Sequence, residues 1–74
     1  MSVEVGTMIG IVVDTVMLSI RKEPKAVSGI VVIVLEKAEV KIDKSFVDPD
    51  WFKVETPTGN VGYVPKKFIA IKKG

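Results

Sequence analysis

The 74-residue chain contains no cysteine and no histidine. Without cysteine it has neither a disulfide staple nor a thiolate metal site, so a domain this small must hold together by packing or by self-association. The redox compartment is left open by the same absence. Without histidine or cysteine the usual general base and the readiest nucleophile are both missing, and the four serines have no base at a recognisable spacing. No glycine-rich phosphate loop precedes a helix either. The chain is therefore expected to be no enzyme and to use no cofactor.

Charge of one sign is also scarce. Eleven basic residues against nine acidic ones leave a net charge of +2, too weak a field to point to nucleic acid or to a membrane surface. The longest uncharged, largely apolar runs, residues 8–13 and 27–35, fall far short of the roughly 20 residues that span a bilayer, so membrane insertion is not expected. No Lys or Arg precedes Arg21, and the positive start of a secretory signal is missing. The expected location is cytoplasmic or virion-associated, unless the chain is excised from a longer exported protein. Sustained helical periodicity is absent throughout.

What the chain has in excess is β-branched residues, 14 Val and 8 Ile. These side chains fit a pleated, half-buried surface better than a helix, and an all-β fold follows. Residues 1–7 read as an N-terminal lead or an extra edge strand, and residues 8–74 as one small barrel domain. Apolar runs at residues 8–13 and 16–20 lead into Arg21-Lys22-Glu23-Pro24-Lys25. That segment must be loop, because Pro24 lacks a backbone donor and pushes Glu23 away from helical angles. Ile30–Leu35 is apolar at every position, which suits a strand covered on both faces, within a barrel wall or at a subunit contact. Glu39–Asp43 alternates charged with β-branched residues and reads as a half-exposed strand. Trp51–Glu55 and residues 61–64 flank Thr56-Pro57-Thr58-Gly59-Asn60 and form a β-hairpin. Pro65-Lys66-Lys67 reads as a short turn with 3-10 character before a last strand at residues 68–71. The sum is a small barrel of five or six short antiparallel strands.

The order of these residues resembles a known family. Trp51-Phe52, a hairpin turn, Gly62-Tyr63-Val64-Pro65, two residues and Phe68-Ile69 look like the second half of the SH3 barrel, where Trp-Trp, turn, Gly-Tyr-Ile-Pro, two residues and Tyr-Val follow one another. Leu18-Ser19-Ile20-Arg21-Lys22-Glu23-Pro24 is similar to the Leu-Asn-Val-Arg-x-x-Pro segment of the bacterial SH3-like (SH3b) family at Leu, at the β-branched position, at Arg and at Pro. Leu35-Glu36-Lys37-Ala38 looks like that family's Leu-x-Lys-Gly turn. The likeness covers residues 10–71 and implies an SH3-like barrel with a 3-10 turn before its last strand.

It also implies a non-catalytic binding module. An aromatic shelf of Trp51, Tyr63 and Phe68 beside Pro65, with Arg21 from the matched segment, is the expected ligand-binding set, since rigid aromatic faces give contact area at low entropy cost. Core packing is an equal alternative for Tyr63. The ligand class implied is a peptide, a peptidoglycan fragment or a protein partner, as in bacterial SH3-like domains attached to wall hydrolases. Departures from the family argue against polyproline recognition: the Ala-Leu-Tyr-Asp-Tyr motif is absent, Lys67 stands where an Asn is usual, and Phe68 lacks the Tyr hydroxyl. The Arg21-to-Lys25 loop is basic where the family's is acidic. A second function fits the same residues, a structural or assembly piece such as a bacteriophage or oligomer component, acting through self-association of Ile30–Leu35. Lys66, Lys67, Lys72 and Lys73 read as a solvated face, and Asp43, Asp48 and Asp50 as turn caps with no metal.

Overall fold

A computed structural model describes residues 7–72. It contains seven strands, β1 (Thr7–Val12), β2 (Met17–Arg21), β3 (Ile30–Leu35), β4 (Glu39–Asp43), β5 (Trp51–Glu55), β6 (Val61–Pro65) and β7 (Ile69–Lys72), with one 3-10 turn, Lys66–Phe68, just before β7. Thr7 opens β1, and the rest of the expected lead lies outside the described residues. The count exceeds the expected five or six. The first two apolar runs form separate strands because Asp14 takes a left-handed φ of 61° and breaks the chain direction between them.

All strands pair antiparallel in one sheet of order β3-β2-β6-β5-β4-β1-β7. One face of this sheet curls around a single core of Val12, Leu18, Ile20, Val40, Ile42, Val54, Val64 and Ile69. Six different strands supply these eight side chains, and a flat sheet has no way to gather them in one cluster. The result is a small all-β barrel with one 3-10 turn before its last strand, as expected from the sequence. Each fully buried aliphatic contributes about 1.5–3 kcal/mol relative to an exposed one, and Met8, Val32, Val34, Ala38, Phe52 and Phe68 pack against the cluster.

Two glycines matter to the geometry. Gly59, at a φ of 92°, supplies the left-handed residue of the β5–β6 turn. The turn is closed by Gly59 N–H donating to the Thr56 carbonyl at 2.9 Å and by Thr56 N–H donating to Asn60 at 2.8 Å. Asn60 N–H also donates to the buried Thr56 hydroxyl. Gly62 lies where β2 crosses β6. A Cβ there would come within 2.5 Å of Ile20 Cγ2 and 2.6 Å of the Arg21 carbonyl oxygen. Only a residue without a side chain lets β2 approach this closely, and the single β2–β6 pair, Arg21 with Tyr63, depends on it.

The expectation for Ile30–Leu35 needs correction. Within the chain this strand is not covered on both faces: Ile30, Val31, Ile33 and Leu35 are exposed, and only Val32 and Val34 pack against the core. The reason is its place at the end of the sheet, where β2 is its one neighbour. The last strand also starts one residue later than the sequence suggests, because Phe68 completes the 3-10 turn.

Candidate functional site: a basic aromatic groove

A surface groove of about 660 Å³ runs between the loop after β2, the segment leading into β5 and the 3-10 turn. Each wall is placed by local chemistry. The Asp48 carboxylate accepts from the N–H groups of Asp50 (2.9 Å) and Trp51 (3.0 Å), turning the chain so that β5 begins with the indole at the rim. Trp51 then stands opposite Pro65 in the β5–β6 ladder, and Lys66 N–H donates to the Asp50 carbonyl at 2.9 Å. This bond ties the start of β5 to the start of the 3-10 turn. Because Pro65 fixes its own φ and precedes a tight turn, Lys66, Lys67 and Phe68 are carried back over the groove.

The opposite wall comes from β2 and its loop. Arg21 Nη1 donates to the Ser28 carbonyl at 2.8 Å, and Lys22 N–H donates to Gly29 at 2.8 Å. The Ser28 hydroxyl is bonded to Glu23 across the same loop. These contacts close the loop on itself and hold the half-buried guanidinium at the groove. Among the described residues the bond to Ser28 is the one side-chain hydrogen bond of Arg21, which has five donors.

Of the residues expected from the sequence, Trp51, Pro65, Phe68 and Arg21 line this one groove. Trp51 is half-buried, with neither a core position nor full exposure. Tyr63 lies elsewhere: its ring meets Phe46 edge-on with centroids 5.0 Å apart, and it does not line the groove. The alternation of β6 turns it away from the face of Val64, which is core.

Lys66 and Lys67, expected as part of a solvated basic face, both line the groove. Lys66 Nζ sits 5.0 Å from the Phe52 ring centroid and Lys67 Nζ 5.2 Å from that of Phe68. Lys72 is separate from them, paired with Glu39 at 3.0 Å, and Lys73 lies outside the described residues. The signal for Lys66 and Lys67 was their position between Pro65 and Phe68, both already assigned to the shelf. Asp50, expected only as a turn cap, and Ser19 also line the groove, and nothing in the sequence marks either as a groove residue. Three cationic residues, Arg21, Lys66 and Lys67, thus border the groove with one acidic residue, Asp50, a local balance of +2. Among the described residues none of the three cations has a carboxylate within 4.0 Å.

Outside the groove, Asp43 accepts from the Ser45 hydroxyl (2.6 Å) and the Ser45 N–H (2.9 Å). These bonds to its charged form hold its carboxyl below the ordinary range, with Lys53 at 3.9 Å adding a smaller pull. Among the described residues no group of three or more His, Cys, Asp or Glu side chains is placed to hold a metal ion, and no helix is long and apolar enough to cross a membrane. No protein-family model matches the chain, and no curated protein matches it.

Proposed function

We propose that the chain is a non-catalytic binding module that holds an extended, acidic peptide segment in the groove between Arg21, Trp51 and Phe68. The observation that supports this reading is the convergence of Trp51, Pro65 and Phe68, from two separate stretches of sequence, on a groove whose free charges are cationic. Aromatic and proline faces suit an extended backbone, because they add contact area without ordering long side chains. Arg21, with donors to spare, suits a carboxylate better than a lysine would, through its planar fork. A basic peptide would meet Arg21, Lys66 and Lys67 as like charges. Free peptide, a wall-derived peptide rich in carboxylates and an acidic segment of a folded protein share this chemistry.

The test is binding of a short proline-containing peptide bearing glutamates, measured by calorimetry on wild type and on Trp51→Ala. A truncated aromatic anchor at the centre of an interface costs about 2 kcal/mol or more, so the variant should bind about 30-fold more weakly while its circular dichroism stays that of wild type. Equal affinity in the folded variant removes the reading.

A further inference from the structure

A second surface lies at the free edge of β3. Seven of the ten exposed large aliphatic side chains among the described residues lie on or beside the β2–β3 hairpin, and they include Ile30, Val31, Ile33 and Leu35 of β3 itself. That concentration separates this surface from the scattered exposed aliphatics of an ordinary small domain. β3 contains no charged residue and no proline, the two usual means of blocking an edge. The opposite edge, β7, is shorter and carries Lys72 tied to Glu39.

The ladder fixes which backbone groups of β3 face outward. Glu36 N–H donates to the Val16 carbonyl at 2.9 Å, in register with Leu18 opposite Val34 and Ile20 opposite Val32. Alternation then turns the Val34 and Val32 amides towards β2, and those of Leu35 and Ile33 away from it. At Val31 two residues of β3 span one step of β2, a bulge that ends the regular edge.

We propose that β3 pairs antiparallel with β3 of a second copy of this chain, about a two-fold axis through Ile33. Only residues whose amides face outward can exchange bonds across the axis, so Ile33 meets its own equivalent and each Leu35 approaches the bulged Val31 of the other copy. The ends of the strand are complementary as well. The loop before β3 carries Lys22, Glu23 and Lys25, net +1, while the turns at its far end carry Asp14, Glu36 and Lys37, net −1. Antiparallel pairing sets each positive end beside a negative one, a self-complementary pattern that selects a second copy over an unrelated strand. This pairing is independent of the groove and of what the groove binds.

The experiment is sedimentation velocity on the full chain across the micromolar range, with amide hydrogen exchange at low and high protein concentration. Two variants accompany it. Ile33→Lys places a charge on the axis, and Ile33→Pro removes the outward amide while leaving the bonds between β3 and β2 in place. The expected result is a concentration-dependent dimer in wild type, weakened about tenfold or more in both variants, with slower exchange at Ile33 and Leu35 in the concentrated sample. A chain that stays monomeric throughout the micromolar range overturns the proposal. So does a dimer of wild-type strength in a folded variant, or exchange at Ile33 and Leu35 that is the same at both concentrations.

Discussion

Replacing Gly62 with alanine should damage this domain severely for so small a change. The new methyl would lie 2.5 Å from Ile20 Cγ2 and 2.6 Å from the Arg21 carbonyl oxygen, where ordinary contacts begin near 3.4 Å. Two strands must therefore separate by most of an ångström. Ile20 is fully buried and Arg21 contributes backbone, so neither neighbour can rotate away. Overpacking of this kind costs about 1–3 kcal/mol, and the upper half applies where backbone itself must move. For a domain of this size, about 2–3 kcal/mol corresponds to a fall in Tm of roughly 10–20 °C. The assay is thermal and urea unfolding followed by circular dichroism, with Gly59→Ala beside it. Gly59 has a φ of 92° and nothing within 4 Å of the added Cβ, so its alanine variant carries backbone strain alone, about 1 kcal/mol. A Gly62→Ala protein within about 0.5 kcal/mol of wild type, or no worse than Gly59→Ala, would refute the close β2–β6 crossing that builds one wall of the groove.

Three further outcomes follow from particular contacts. Asp48→Ala removes the acceptor for the Asp50 and Trp51 amides, and should destabilise the domain by about 1 kcal/mol and shift the Trp51 indole resonance in NMR spectra. Asp43 has a folded-state pKa below its unfolded one, so its contribution to stability is complete above about pH 4, the unfolded value, and is lost as pH falls through the lower folded value. Carboxyl NMR titration of Ser45→Ala should return Asp43 towards its ordinary range, and an unchanged titration would show that Ser45 is not the cause. Lys66→Glu together with Lys67→Glu should invert the groove's preference, weakening glutamate-bearing peptides and admitting lysine-bearing ones in a competition assay.

Much of the fold was legible because the alternating segments are strongly patterned. Glu39–Asp43 and Ile30–Leu35 have the boundaries read from their residues, and the β5–β6 hairpin is set by Gly59 and Asn60 as the turn chemistry requires. What pattern cannot carry is the neighbour of each strand. The uniform apolarity of β3 is compatible with a covered strand or an edge, and only the order of strands distinguishes them. For the site, Trp51, Pro65, Phe68 and Arg21 were found through their place in the SH3-like arrangement, whereas Tyr63 depended on a strand phase that its glycine neighbour leaves open. Lys66 and Lys67 were visible as charges on a short turn but not as groove residues, since the pattern of a turn does not say which surface its side chains border. Asp48 was legible as a turn cap, whereas the two amides it accepts from, those of Asp50 and Trp51, were not.

Trp51 is the only tryptophan in the chain, so its fluorescence reports on the groove without labelling. The decisive measurement is titration of that emission with two peptides of one extended scaffold, one bearing glutamates and the other lysines, at low and at raised salt. A saturable shift with the acidic peptide, weakened by salt and absent with the basic one, is the predicted result. A response that is absent with both peptides, or equal for the two charges, would contradict the account of the groove as a cationic aromatic cradle.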